Sequence, residues 1–208
     1  MPKYNLIIFD LDGTLLDTSE GIYKSVRYAE TKMGFLPIDE QKLHFFIGPP
    51  PVEMYKKIYG VDDATAQKAT SYHREYGRTK AIYEAIPYKN IRFLLAKLCE
   101  KSYKLAVATL KQQEIAETLL EMYDLKKYFN IIVGMNAQET YTKSFLIEQA
   151  IKKAGTNNAA VMIGDTVYDE AGAREVGIDF ISVSYGFGFS NAEALCSEPL
   201  EILNCLGY

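Results

Sequence analysis

The chain has 208 residues, 48% of them hydrophobic and 24% charged, with a formal net charge of -4. That is an ordinary globular mix, long enough for one core domain and a modest insertion. Its scattered Lys and Arg form no basic stripe, which argues against polymeric nucleic acid as a partner, and its longest apolar runs, Leu6-Ile7-Ile8-Phe9 and Ala159-Ala160-Val161-Met162-Ile163, are far too short to cross a bilayer.

The first predicted element is a strand at residues 5–9, an unbroken apolar run of the kind that suits a parallel strand buried on both faces. It delivers the chain into Asp10-Leu11-Asp12-Gly13-Thr14. A polar turn leaving a strand is one reading of that segment. The other is a functional site, because open parallel sheets bind ligands beyond the carboxyl ends of their strands.

The next strand signal is delayed by far more residues than a crossover helix needs. Within the gap, Ser19 and Glu20 start a helix, Gly34 and Pro37 stop it, and Gly48-Pro49-Pro50-Pro51 forces a turn. Tyr23, Val26, Tyr28 and Met33, and later Met54, Ile58 and Tyr59, read as packing stripes. Residues 18–80 are therefore predicted to be an inserted helical cap. His44 and His73, the only histidines, find no partner in the sequence, and Lys24, Arg27, Arg74 and Arg78 are either solvated charges or contacts for a second anionic group of a ligand.

Beyond the insertion, helical spacing at 91–101, 112–123, 142–154 and 169–176 alternates with apolar strands at 104–108, 130–133, 159–163 and 180–183. The predicted architecture is α/β: a Rossmann-like parallel sheet core from residues 1–17 and 81–208, interrupted by the α-helical cap. The strand at 104–108 runs into Thr109-Leu110-Lys111, putting a hydroxyl where a phosphate oxygen could accept its hydrogen bond. The strand at 159–163 runs into Gly164-Asp165-Thr166-Val167-Tyr168-Asp169. Lys143 opens the helix at 142–154, as a surface lysine or as part of the same crevice.

Strand ends on one edge of a parallel sheet are neighbours in space, so four acids, a threonine and a lysine are expected to converge. Clustered carboxylates repel one another unless a cation sits among them, and hard oxygen ligands suit Mg2+. Cys99, Cys196 and Cys205 are odd in number and lack a C-x-x-C spacing, so they read as reduced thiols. With an N-terminal segment that lacks an apolar signal region, this gives a cytoplasmic localisation as the expectation.

The order Asp-x-Asp, then Thr, then Lys, then Gly-Asp-x-x-x-Asp resembles the haloacid dehalogenase superfamily of phosphohydrolases across nearly the whole chain. The insertion after the first motif, Phe46-Ile47-Gly48-Pro49-Pro50 and Tyr185-Gly186-Phe187-Gly188 look like its phosphoglycolate phosphatase group. The resemblance implies Asp10 as nucleophile and Asp12 as general acid and base. It also implies Thr109 and Lys143 as phosphate-binding residues, and magnesium held by Asp10, Asp12 and Asp165 with Asp169 supporting. Leu110 and His44 depart from what many relatives carry, which bears on substrate choice.

The expected activity is magnesium-dependent hydrolysis of small phosphate monoesters, of the phosphoglycolate or nucleoside monophosphate type, through an aspartyl-phosphate. A cap that roofs the crevice would admit a small ligand and exclude a folded protein surface. A sugar-phosphate mutase would use the same residues, and a phospho-accepting switch would share the acids, threonine, lysine and metal. A dehalogenase would leave Asp12 and the metal acids without a purpose.

Overall fold

The computed structural model of the chain describes residues 3–138, 140–156 and 159–207. It divides into two compact units, Met1–Asp17 with Pro87–Tyr208, and Thr18–Ile86. The second join falls at 86/87 and not at the expected 80/81. The short helical turn Ala81–Tyr83 makes the difference: Ala81 lies against Gly21 so closely that a Cβ on that glycine would stand 2.7 Å away.

The first unit is built on β1 (Leu6–Phe9), to which the chain returns after the insertion through α5 (Ile91–Glu100), β4 (Lys104–Gln112), α6 (Gln113–Met122), β5 (Ile131–Met135), α7 (Lys143–Ala154), β6 (Ala160–Gly164), α8 (Val167–Val176), β7 (Asp179–Ser182) and α9 (Glu201–Cys205). Two short strands, β2 (Leu16–Asp17) and β3 (Ile86–Pro87), pair in a separate small sheet. The main sheet runs in the order β5-β4-β1-β6-β7, and every pairing is parallel. β1 is thus central, and the chain builds outward first on its β4 side and then on its β6 side. The crevice where such an order reverses is the usual ligand site of an open parallel sheet.

Burial on both faces explains why these strands read as unbroken apolar runs. Leu6, Ile8, Ala106, Ala108 and Met162 pack under Leu146, Ile147 and Ala150 of α7 and Ala173 of α8. Alternation along the strands sends Ile7, Phe9, Val107 and Ile163 to the other face, where they are also fully buried. Each such side chain contributes roughly 1.5–3 kcal/mol relative to exposure.

One strand departs from the sequence reading. β4 does not stop at Ala108 but continues to Gln112, with Ala108 opposite Val133 and Gln112 opposite Met135, so four steps on β4 match two on β5. That irregularity re-aims the chain at Thr109, Leu110 and Lys111, whose polar members do not belong to an apolar run.

The second unit consists of α1 (Ser19–Met33), the short α2 (Glu40–Leu43), α3 (Pro51–Tyr59) and α4 (Asp63–Thr79). Gly34 ends α1 at a φ of 69°, as a left-handed cap. Pro50 and Pro51 do not merely turn the chain: they cap and open α3, because the first helical position has no use for an N–H. Val26, Ala29, Phe46, Met54, Tyr55 and Ala69 form the core of this unit, and Tyr23, Met33, Ile58 and Tyr59 pack against it. Tyr28 instead turns outward, donating its hydroxyl to Glu75 at 2.5 Å. His73 is buried among them beside Phe46 and the Tyr55 hydroxyl, a core histidine. Lys24 pairs with Glu84 and Glu20, and Arg27 with Glu30.

Candidate active site

The carboxyl edge of the main sheet carries the candidate chemistry. Asp10 follows β1, its N–H held by the Ile163 carbonyl at 2.9 Å. The next residues fold tightly back: Leu15 and Leu16 both donate to the Leu11 carbonyl at 3.0 Å, and Gly13 donates to the Leu16 carbonyl at 2.8 Å. This return needs a φ of +83° at Gly13, a conformation that side-chain-bearing residues rarely adopt.

Lys143, at the first turn of α7, is buried. Thr142 caps that helix by accepting the Phe145 N–H at 3.1 Å, which orients the turn. The Lys143 ammonium donates to Asp10 Oδ1 in a short contact and lies 2.6 Å from Asp169 Oδ1. The surface-lysine reading therefore does not hold.

Asp169 is fixed from its other oxygen, where Oδ2 accepts the Thr166 N–H at 3.0 Å and the Thr166 hydroxyl at 2.7 Å. That contact starts α8 two residues earlier than the apolar spacing indicates. Asp165, fully buried after β6, accepts the Thr14 hydroxyl at 3.1 Å and the Phe187 N–H at 2.9 Å.

Close packing holds these carboxyls still. A Cβ on Gly13 or on Gly186 would collide with the Asp165 side chain, one on Gly164 would stand 2.5 Å from Asp169, and one on Gly172 would stand 2.9 Å from the Lys143 stem.

Oxygens of Asp10, Asp165 and Asp169 lie within 4.8 Å of one another. Among the described residues, the one ammonium against these three buried carboxyls is that of Lys143, which pairs with Asp10 and Asp169. Burial, opposed by Lys143 and reinforced by Asp169 and Asp12, pushes the Asp10 carboxyl up to about 7. Burial, with Asp169 and Asp10 next, also raises Asp165 well above the usual carboxylate range. Burial by itself would lower Lys143, yet the Asp10 and Asp169 carboxylates win and raise it. The negative excess and the hard oxygen donors fit a divalent cation such as Mg2+.

Asp12, for which the resemblance implies both an acid–base and a metal-holding role, stands beside this group. Its carboxyl is not one of the three: Oδ2 pairs with the Lys111 ammonium at 2.9 Å, and Oδ1 is buried with no hydrogen-bond partner among the described residues. Thr109 is buried at the irregularity of β4 and accepts the Lys111 N–H at 3.2 Å, which leaves its own O–H to donate.

Sequence reasoning therefore named Asp10, Asp12, Thr109, Lys143, Asp165 and Asp169 but gave no role to Thr14, Lys111, Thr166 or the Phe187 N–H. Thr14 and Lys111 stand inside the motifs already singled out, and Tyr185-Gly186-Phe187-Gly188 had only its likeness to relatives to mark it. Lys111 in particular follows Thr109 by two residues and reaches an acid from the neighbouring strand end.

Known proteins resemble this chain in sequence and fold. The family model described as haloacid dehalogenase-like hydrolase matches residues 7–183. A 5'-nucleotidase of Pseudomonas aeruginosa is 36% identical, over 95% of this chain and 90% of that one. A protein of Mycobacterium tuberculosis named tyrosine-protein kinase PtkA is 30% identical over 88% of this chain, which spans 63% of that longer protein. A crystal structure described as a predicted phosphatase from Clostridium acetobutylicum superposes with a TM-score of 0.86 at 36% identity, covering 98% of this chain and 91% of that one.

Proposed function

The chain belongs to the haloacid dehalogenase-like hydrolases and is a phosphatase, and from that premise we propose that it hydrolyses small phosphate monoesters through an aspartyl-phosphate on Asp10, with Mg2+ as cofactor. The observation that carries the reading is the excess of buried carboxylate over ammonium at the carboxyl edge of β1, with the nucleophile candidate itself gripped by Lys143. Asp10, Asp165 and Asp169 are the carboxyls that would hold the cation. When bound, Mg2+ would neutralise phosphate charge that otherwise repels an anionic nucleophile.

The chain's own groups divide the remaining work. Lys143 orients the Asp10 carboxylate and supplies positive charge beside it, while the Thr109 hydroxyl donates to a phosphate oxygen. An Asp10 oxygen attacks phosphorus in line as the ester oxygen departs. Asp12 protonates that leaving oxygen, and then removes a proton from the water that attacks the aspartyl-phosphate and frees Asp10 and inorganic phosphate. Lys111 fixes Asp12 by one oxygen, so the unpartnered Oδ1 is the atom suited to carry the proton. Besides its place among the carboxyls that would hold the cation, Asp169 pairs with Lys143 and so helps keep the ammonium against Asp10.

Likeness to a protein named 5'-nucleotidase, together with the helical insertion directly after the Asp10 motif, supports small soluble esters as substrates. The test is phosphate release across phosphoglycolate, nucleoside monophosphates, sugar phosphates, pyrophosphate and a phosphopeptide, with Mg2+ and with excess chelator. A small monoester should give the highest kcat/KM, and chelator should abolish turnover. Undiminished activity in chelator, or a phosphopeptide as best substrate, would overturn the reading. A further arm with a tyrosine peptide and a nucleoside triphosphate addresses the likeness to the kinase-named relative. Transfer to peptide faster than to water would displace hydrolysis as the main reaction.

A further inference from the structure

Cys196 and Cys205, nine residues apart in the sequence, meet in the fold with their Sγ atoms 3.2 Å apart. Nothing in their spacing announces this. Cys196 is buried and belongs to a short backbone ladder: it donates its N–H to the Ser182 carbonyl at 3.1 Å, and its own carbonyl accepts the Ser184 N–H at 2.9 Å. Cys205 is exposed on the last turn of α9, a five-residue helix seated by the fully buried Ile202 and tied at its start by the Ser197 hydroxyl, which donates to Glu201 at 3.0 Å. One sulfur is thus sheltered in the fold, the other can be reached from solvent, and the two touch.

We propose that Cys196 and Cys205 form a dithiol–disulfide site that closes reversibly with a small-molecule disulfide as oxidant, stapling α9 to the backbone ladder that follows β7.

A disulfide needs sulfurs about 2.0 Å apart, so the observed pair closes by rotation of the two cysteine side chains. In the first step the Cys205 thiolate attacks one sulfur of the oxidant and expels a thiolate, leaving a mixed disulfide. The Cys196 thiolate then attacks Cys205 Sγ and expels the second thiolate. The two cysteines together lose two protons and two electrons, and one molecule of disulfide becomes two of thiol. The order follows from access. It agrees with the raised pKa of Cys196, which burial and then the neighbouring Cys205 thiol push up, since the poorer thiolate is better placed as the second, intramolecular attacker. Cys99 is exposed elsewhere, with Sγ against the Tyr128 carbonyl at 3.7 Å, and serves as an internal control.

The bond can be read directly, because the chain carries no Lys or Arg after Arg174, so trypsin leaves both cysteines on the single peptide 175–208. The folded full chain is incubated with glutathione disulfide, alkylated and digested. The expected product is peptide 175–208 lighter by two hydrogens and protected from alkylator, restored by dithiothreitol, while Cys99 ends as an alkylated thiol or a glutathione adduct. Cys205→Ser should abolish the closed form and leave Cys196 alkylatable only on unfolding. Because the serine replaces an exposed residue, it also guards against loss of fold in Cys196→Ser. Oxidised wild type should melt at a higher temperature than reduced wild type, and Cys205→Ser should show no such rise. Persistence of two alkylatable thiols or of a glutathione adduct on that peptide would overturn the disulfide. A closed form that melts no higher than the reduced protein would overturn the staple.

Discussion

A single buried acid in the helical unit and a buried group of three at the sheet edge differ in a way that separates structure from chemistry. In the helical unit Glu30 is buried, yet its carboxylate is answered in full: Arg27 reaches it at 2.9 Å, the Tyr59 hydroxyl donates at 2.7 Å and the Ile38 N–H at 2.8 Å. At the sheet edge, Asp10, Asp165 and Asp169 are just as buried, but among the described residues the one ammonium beside them, that of Lys143, pairs with Asp10 and Asp169 and leaves Asp165 with neutral donors alone. Burial of charge is common to both and marks neither as functional. What distinguishes the second is an imbalance that the protein alone does not cancel, and a group left uncancelled implies a partner from outside.

The comparison breaks most decisively at Asp10. Asp10→Asn should reduce turnover at least roughly a thousandfold while at about pH 8, above the range in which Asp10 keeps its proton, the metal-free protein melts no lower than wild type, because one of the excess negative charges is gone. A clear loss of stability in the metal-free variant would place Asp10 in the same class as Glu30. The mirror experiment is Glu30→Ala, which strands a guanidinium, a hydroxyl and an N–H. It should cost about 2–4 kcal/mol of stability, read by denaturant melts, with kcat per folded molecule changed less than about twofold.

The cation should reveal itself thermodynamically as well as kinetically. Asp10 is raised from 3.8 to about 7. Without metal the folded state therefore holds a proton that the unfolded state has lost, and stability falls as pH rises across that window. A divalent cation competes with that proton. At a fixed Mg2+ concentration the rise in melting temperature should thus be larger at pH 8 than at pH 6, with about 2.7 kcal/mol of added stability where that concentration is a hundredfold above Kd. Equal shifts at both pH values would argue against a cation on Asp10. The smallest effect belongs to Tyr59→Phe, which removes one of the Glu30 donors and should lower stability by about 0.5–1.5 kcal/mol with no change in the response to Mg2+.

Legibility in the sequence followed the same division between local and distant causes. Strands buried on both faces write themselves as apolar runs, so β1 and β6 could be placed to within about a residue. β4 outran its apolar run because the pairing resumes at Gln112, a polar residue beyond the irregularity. The acids were visible as motifs at strand ends, but the fate of Lys143 was not. One lysine at a helix start looks the same whether it faces water or two carboxylates, and its partner Asp10 lies 133 residues away. The pairing of Cys196 with Cys205 stayed hidden for the same reason, since only the packing of α9 brings them together.

The glycines around the site carry a consequence for anyone wishing to redesign the enzyme. Gly13, Gly164, Gly172 and Gly186 form a mould around Asp165, Asp169 and Lys143 with no slack for even a methyl group. Random mutagenesis of that floor should yield almost nothing but dead clones. New substrate preferences are better sought at positions that do not brace the reacting groups. A library confined to such positions should keep its catalytic floor intact in nearly every member.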